Sequence, residues 1–461
     1  MFGICTLAAL LAAAPADTAA LRLVDLGIEH MGGDALRRLE RVRYDMITQW
    51  QRTTFDERPY ADAPAYETHT DVRDYTIGGW RNTRRAPVGG EWRTIIDLVR
   101  DSVAVRDFGT GFVPLNVAYV DERDELFTYS PDRVLLHARA ARDLRVGADT
   151  TIGGVPHARL MASLGGNAAT LFLRRSDGLP TMLRFRAAHP NDFGLVQWGE
   201  MDVEVWYSSW RTFAGGISLP TQWDVRRVQR PYKRITVLNA SFDPAFAADS
   251  FAVADSLRAA YRASPRATRP MHDLPFDSAR VVQNDFVEFR TFGGPVGAVR
   301  LGGRWLVLEA GQAPLSFERA RAWLAANAPA PVAAVIAGRM TPGNGGAAAA
   351  VDAGIPLIAG PGAAPILRAV LHGYDRPTSI EAATEPRWLK IGSDSLRLET
   401  LDLPDAPGAL LAWAPSLRWL YAPAALTPLD VRLVLERARQ RGWAVERLGT
   451  ARGVLLPVPA S

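Results

Sequence analysis

Val332-Ala333-Ala334-Val335-Ile336 runs into Ala337-Gly338-Arg339-Met340-Thr341-Pro342-Gly343-Asn344-Gly345-Gly346 and then into Ala347-Ala348-Ala349-Ala350. A short apolar run, a loop rich in Gly and Pro, and an alanine run read as strand, loop and helix. Ile355–Ile358 adds a strand, and Phe317–Asn327 and Pro428–Arg441 carry helical patterns. Upstream, Phe286–Phe289, Val296–Leu301 and Trp305–Leu308 are short strands separated by Gly293-Gly294 and Gly302-Gly303. Strands alternating with helices predict a layered arrangement of both over 275–461. In such layers ligands sit where strands end and helices begin, so the loop after Ile336 is the first place to look for a site.

The first half has a different texture. From Val42 the period is two, with Val42, Tyr44 and Met46 on one face and Trp50 beside them. Alternation recurs at Ala169–Leu173, Met182–Phe185, Met201–Trp206, Gln222–Val228 and Ile235–Phe242, and Asp177-Gly178 is a tight-turn signal. Leu21–Met31 has a helical pattern closed by Gly32-Gly33, Asp34 offers an N-cap for a short helix, and Ser130-Pro131 opens another. These features predict a curved antiparallel half-barrel sheet with a few helices over 17–262. The polar, proline-containing stretch from Arg262 to Asp273 reads as a linker, assigned to 263–274. Trp206, Tyr207, Trp210 and Trp223 are candidates to line a hollow for a small or hydrophobic ligand. Asp121-Glu122 and Asp124-Glu125 read as solvated turn charges, and His137 and His157 as structural histidines without spaced partners.

Composition narrows the classes. The 461 residues are 48% apolar and 22% charged, which excludes a disordered chain, a collagen and a disulfide scaffold. The net charge of +4 comes from 53 basic and 49 acidic residues, the basic ones nearly all Arg, with Lys at 233 and 390. No run of like charges builds a basic patch, which argues against a nucleic-acid partner. Cys5 is the single cysteine, so neither an intrachain disulfide nor a thiolate metal cluster is expected. The apolar run Phe2–Ala14 followed by Ala14-Pro15-Ala16 reads as a short signal peptide over 1–16, weak because no Lys or Arg precedes it. It predicts a periplasmic or secreted protein. No later stretch reaches the ~18 apolar residues of a membrane-spanning helix.

On its loop, helix and strand pattern the second half resembles the metallo-beta-lactamase superfamily. Trp305–Ala310 looks like the family's opening hairpin, Asp352–Ile358 like the strand after its motif helix, and Leu410–Pro415 with Leu420-Tyr421 like its later strand pair. The resemblance implies an αββα sandwich and, for active members, a His-x-His-x-Asp-His zinc motif. Here the motif positions fall on Gly338, Met340, Pro342 and Gly343, and the later ligand positions fall near Pro404 or Asp405, Ala424 and Arg452. Glycine, methionine, proline and alanine offer zinc none of its usual donors. The segment 275–461 contains a single histidine, His372, with His272 just before it. No metal and no other cofactor is therefore expected. The same loop imitates a dinucleotide fingerprint, but the following strand carries no acid to hold a ribose. Asp132–Ala138, Gly178–Pro180 and Ser218–Pro220 are similar to the segment that precedes such domains in exported bacterial proteins, whose shape is like that of periplasmic lipoprotein carriers.

The first reading is thus an α+β, two-domain, exported and non-catalytic protein that binds or scaffolds. The alternatives are a hydrolase working through an unrecognised site and a hydrophobic-ligand or lipoprotein carrier. N-terminal sequencing of protein from its native host should find the mature chain starting near Asp17 and free of thiol; an intact Met1 would contradict export.

Overall fold

The computed structural model describes residues 17–50, 65–88, 91–188, 200–227, 229–247, 249–270, 278–291, 294–311, 314–338, 346–371, 380–404, 406–425, 427–450 and 453–458. The segment 1–16, read above as a signal peptide, lies outside them. The chain is rich in sheet and has few helices. Helix α1 (Thr18–Met31) starts where Asp17 accepts the Ala19 amide at 2.8 Å, an N-cap stabilising its first turn by about 1 kcal/mol. It is followed by the single turn α2 (Asp34–Arg37).

Fourteen strands then form one antiparallel sheet. Two meanders build it, and the first strand, Arg41–Trp50, pairs with the last, Arg230–Phe242, at its centre. One wing continues through Ala65–Asp74, Gly79–Val88, Glu91–Arg100, Val103–Asp107 and Phe112–Pro114. The other runs through Ser218–Arg227, Glu200–Thr212, Pro180–Ala188, Asn167–Arg174 and Val155–Leu164 to Arg145–Val146, with Thr150–Ile152 also paired to Val155–Leu164. Between the meanders lie α3 (Ala118–Tyr129) and α4 (Pro131–Ala140). Ser130 does stand between them, but its side chain makes no cap hydrogen bond; the fixed φ of Pro131 opens α4 instead.

Helices α1 and α4 cover the second wing, where Ala20, Val24, Ile28, Leu135 and Ala138 join one buried cluster with Leu160, Leu171, Leu183 and Leu219. Each large apolar side chain buried this way contributes about 1.5–3 kcal/mol. The turn at Asp177-Gly178 forms as its sequence implies, and it does more than reverse the chain. A β-carbon on Gly27 would lie 2.3 Å from the Gly178 carbonyl oxygen, so α1 crosses the turn on bare backbone.

The stretch read as a linker differs in its first part. Helices α5 (Asp255–Ala263) and α6 (Pro265–Thr268) are joined at Ser264, whose hydroxyl accepts the Ala267 amide. Tyr261 and Ala267 are buried with Trp80, Val99 and Val105 of the first wing. The Asn116 amide donates to the carbonyls of Arg266 (2.5 Å) and Arg269 (2.8 Å), and the Val117 amide donates to the Ala267 carbonyl. Ser-Pro therefore marks a helix start here, and 263–269 docks onto the first sheet. Residues 271–277 lie outside the described set.

The remaining strands form two sheets packed face to face. One has seven strands, Ser278–Gln283 to Ile380–Ala382, antiparallel up to Arg304–Leu308 and parallel from there on. The other has six, Arg387–Ile391 to Gly453–Pro457. Their shared core contains Phe286, Val299, Leu306, Ile336, Leu398, Leu410, Trp419 and Tyr421. Helices α7 (Pro314–Asn327), α8 (Ala347–Asp352) and α9 (Ala363–Leu371) follow strands of the first sheet, and Phe317, Leu324, Ala347 and Leu367 are buried with its Val307 and Val335. Helix α10 (Pro428–Gln440) covers the second through Val434 and Ala438. The layers are helix, sheet, sheet, helix.

Asn116→Ala removes two buried hydrogen bonds and should cost about 1–3 kcal/mol. Limited trypsinolysis should then cut after Arg266 faster than in the wild type; equal rates would show that Asn116 does not hold the segment.

Candidate functional site

Strand Ala65–Asp74 places Glu67, His69, Asp71 and Arg73 on one face by its period of two, and all four are buried. Cross-strand pairing sets Tyr44 opposite Asp71, Met46 opposite His69 and Thr48 opposite Glu67. On the other side Trp80, Asn82 and Arg84 stand opposite Arg73, Asp71 and His69. The result is a connected polar lane. Arg73 donates to Asp71 at 2.6 Å and the Trp80 indole donates to the same carboxylate at 2.8 Å. His69 Nδ1 lies 3.1 Å from the Asn82 oxygen, and its Nε2 lies 3.5 Å from Glu67. Glu67 also accepts from Arg84 at 3.2 Å and from the Trp50 indole at 3.1 Å. Further along, Arg106 pairs with Asp97 and donates to the Tyr119 hydroxyl at 2.9 Å.

Asp132, fully buried on α4, ties the helices to this lane. It accepts the hydroxyls of Tyr44 (2.8 Å) and Tyr75 (2.5 Å). Burial alone would raise its carboxyl, but Arg133, Arg73 and the two hydroxyls outweigh it and hold the group below the ordinary carboxylate range.

Beside the lane, between the sheet and α3, is a hollow of about 130 Å³. Trp50, Tyr207, Trp223, Tyr232, Val205, Val225, Ile235 and the bases Arg227 and Lys233 line its sheet side. Ala118, Asp121, Glu122, Glu125, Leu126 and Tyr129 line the helix side. The Trp50 and Tyr232 rings meet edge to face at 5.5 Å; Lys233 Nζ stands 5.2 Å from the Trp50 ring and the Arg227 guanidinium 3.9 Å from the Tyr232 ring. Burial pushes the Lys233 ammonium down, against the pull of Glu122. The surrounding protein and the like charges of Asp97 and Glu125 raise the Glu122 carboxyl, although its side chain is exposed.

Of the four predicted lining residues, Tyr207 and Trp223 face this hollow. Trp206, one residue from Tyr207, lines instead a second hollow of about 440 Å³ with Thr181, Asp224 and Arg234, and donates to Glu204 at 3.1 Å. Ser209, with φ +58°, interrupts the pairing between Ser208–Gln222 and Trp210–Pro220, and Trp210 packs on the main core outside the hollow. The paired acids belong to α3, not to turns: Asp124 pairs with Arg123 at 2.7 Å, while Asp121, Glu122 and Glu125 line the hollow. Nor is the hollow apolar, since five of its lining residues are acidic or basic. The buried His157 lies 2.8 Å from the Thr181 hydroxyl, and His137 Nε2 lies 3.0 Å from the Phe127 carbonyl oxygen.

The loop after Ile336 leads to a second place. Glu309, buried and with φ +63°, accepts the Gly338 amide and the Tyr421 hydroxyl, each at 3.1 Å. A β-carbon on Gly338 would lie 2.1 Å from Cγ of Pro423, so the proline ring fills the space where a side chain would begin. Ala424, the next residue, is buried. Met340, Pro342, Gly343 and Arg452 lie outside the described residues, as do Asp405, His272 and His372. Among the described residues no cluster of three His, Cys, Asp or Glu side chains could hold a metal ion, and no helix is long and apolar enough to cross a membrane.

No protein-family model and no curated protein matches the chain. Solved structures similar to part of it have the metallo-beta-lactamase fold. A metallo-beta-lactamase from Pontibacter korlensis is 16% identical with a TM-score of 0.32, over 39% of this chain and 93% of its own. The metallo-beta-lactamase DIM-1 is 10% identical with a TM-score of 0.32, over 39% and 91%. The stereoselective inverting sec-alkylsulfatase Pisa1 from Pseudomonas sp. is 13% identical with a TM-score of 0.32, over 39% of each chain.

Burial also lowers the pKa of His69, outweighing the Asn82 hydrogen bond and the Glu67 charge. The unfolded chain therefore binds a proton near the ordinary imidazole value that the folded chain refuses. Stability from this group is present above about pH 6.5 and is lost as pH falls below it. The melting temperature should drop between pH 7 and pH 5.5, and His69→Gln should flatten that slope; an unchanged slope would contradict the assignment.

Proposed function

We infer that the chain is an exported, non-catalytic binding protein. Its second unit keeps metallo-beta-lactamase-like layering as a scaffold, and the hollow of its first unit receives the ligand. One observation carries this reading: the ring of Pro423 against the α-carbon of Gly338. Zinc needs about four nitrogen, sulfur or oxygen donors near 2.0–2.3 Å. In the resemblance to the superfamily the first donor would stand at Gly338, where no β-carbon fits without moving Pro423. Glu309, just after the strand Arg304–Leu308, turns its carboxylate to the Gly338 amide and the Tyr421 hydroxyl. The polar groups at the strand ends thereby satisfy each other. The export part of the reading rests on Phe2–Ala16 and on the helix cap at Asp17.

The hydrolase alternative would need a metal or a nucleophile in this place. Chelator should leave the melting temperature unchanged, because no ion adds to the stability of the native state. Gly338→His should lower stability by about 1–3 kcal/mol through overpacking against Pro423, without creating turnover of ester, lactam or phosphoester substrates. Zinc-dependent turnover by the wild type, or a chelator-induced fall of several degrees in melting temperature, would overturn the reading.

A further inference from the structure

The hollow's two walls carry opposite charge. On α3, Asp121 and Glu125 are one helical turn apart and Glu122 stands next to Asp121, so three carboxyl groups face across the space. On the sheet, Lys233 and Arg227 face back, flanked by Trp50, Tyr232 and Trp223. Arg227 is already engaged, its guanidinium over the Tyr232 ring. Lys233 likewise stands over a ring, that of Trp50; among the described residues neither its ammonium nor the Glu122 carboxyl has a hydrogen bond or ion pair, although each lies within electrostatic reach of the other. Lys233, held beside these rings, loses hydration while Glu122 on the helix wall stays exposed, and an apolar guest would strip water from both without compensation. A guest bearing one cationic and one anionic end would restore both.

We propose that the hollow binds a small zwitterion, its ammonium towards Glu122 and the other acids of α3 and its acid group towards Lys233. This rests on the reading of the hollow as the ligand site. The aromatic rings suit the same guest, because an ammonium is attracted to the faces of Trp and Tyr while its methylenes pack on them. At about 130 Å³ the hollow falls below the ~300–1,000 Å³ of sites that enclose a whole drug-sized ligand, so it takes a small molecule or the headgroup of a larger one. A free metabolite and a lipid headgroup share this chemistry.

Isothermal titration calorimetry on the full chain with O-phosphoethanolamine, ethylammonium, ethyl phosphate and decanoate separates the possibilities. The zwitterion should bind about tenfold or more tightly than either half, with decanoate weaker still. Lys233→Gln and Glu122→Gln should each remove that advantage, and Lys233→Arg should retain part of it. Lysophosphatidylethanolamine below its micelle concentration distinguishes the sources: added affinity points to a lipid headgroup, equal affinity to a free zwitterion. Halves that bind as well as the whole, decanoate as the tightest guest, or no binding of the zwitterion would overturn the proposal. Where a variant fails to fold, the comparison among the four guests on the wild type still decides. Failure of the parent reading shows separately, as zinc-dependent turnover.

Discussion

The carboxylate of Asp132 is the contact on which the first unit depends. It sits at the start of α4 with no solvent access and accepts hydroxyls from Tyr44 on the central strand and Tyr75 just beyond the next. Arg133 and Arg73 balance its charge, and the Arg73 guanidinium is itself held by Asp71. A buried charge with all its partners in place is close to neutral for stability, but removing one partner costs about 3–5 kcal/mol. Such a cluster therefore fixes position more than it adds cohesion. It sets α4 on the sheet, and α3, which precedes α4 directly, is held at the distance that leaves the hollow open.

The second unit solves a different problem with similar means. Two sheets and their outer helices bury the large rings of Phe286, Trp305 and Trp419, and each indole N–H finds a carbonyl, at Ala328 and Val454 respectively. At the strand ends Glu309, Gly338, Tyr421 and Pro423 close on one another. A layered domain of this kind is stable through its cores, so its strand ends are free to be filled. The one continuous apolar cluster that includes Phe185 and Tyr207 also includes Phe317 and Leu367, and α9 approaches the strand Glu200–Thr212.

How legible these features were depended on what faced inward. Strands such as Arg41–Trp50 and Glu200–Thr212 alternate apolar with polar residues and could be read directly. Ala65–Asp74 could not, because its buried face is Glu67, His69, Asp71 and Arg73, and the apolar alternation that signals a strand is absent. The same holds for α3. Its sequence, Ala-Tyr-Val-Asp-Glu-Arg-Asp-Glu-Leu-Phe-Thr-Tyr, has no clean apolar stripe because part of its inward face is acidic. Asn116, which carries both ends of the contact to Arg266 and Arg269, is 150 and 153 residues away from them and leaves no local signal. In the second unit the strand, loop and helix around Gly338 were readable from composition. What fills the space beside Gly338 was not, since Pro423 comes from a distant strand end.

Of these two elements α3 lines the hollow, as expected where local rules yield to a functional surface, and Ala65–Asp74 reaches it only through the Trp50 indole that donates to Glu67. The most direct test of the whole account is native mass spectrometry of the protein taken from the cell that makes it. The account predicts a chain without zinc that carries a small polar guest, released when Glu122 and Lys233 are replaced together. A chain that carries two zinc ions and no organic guest would contradict it.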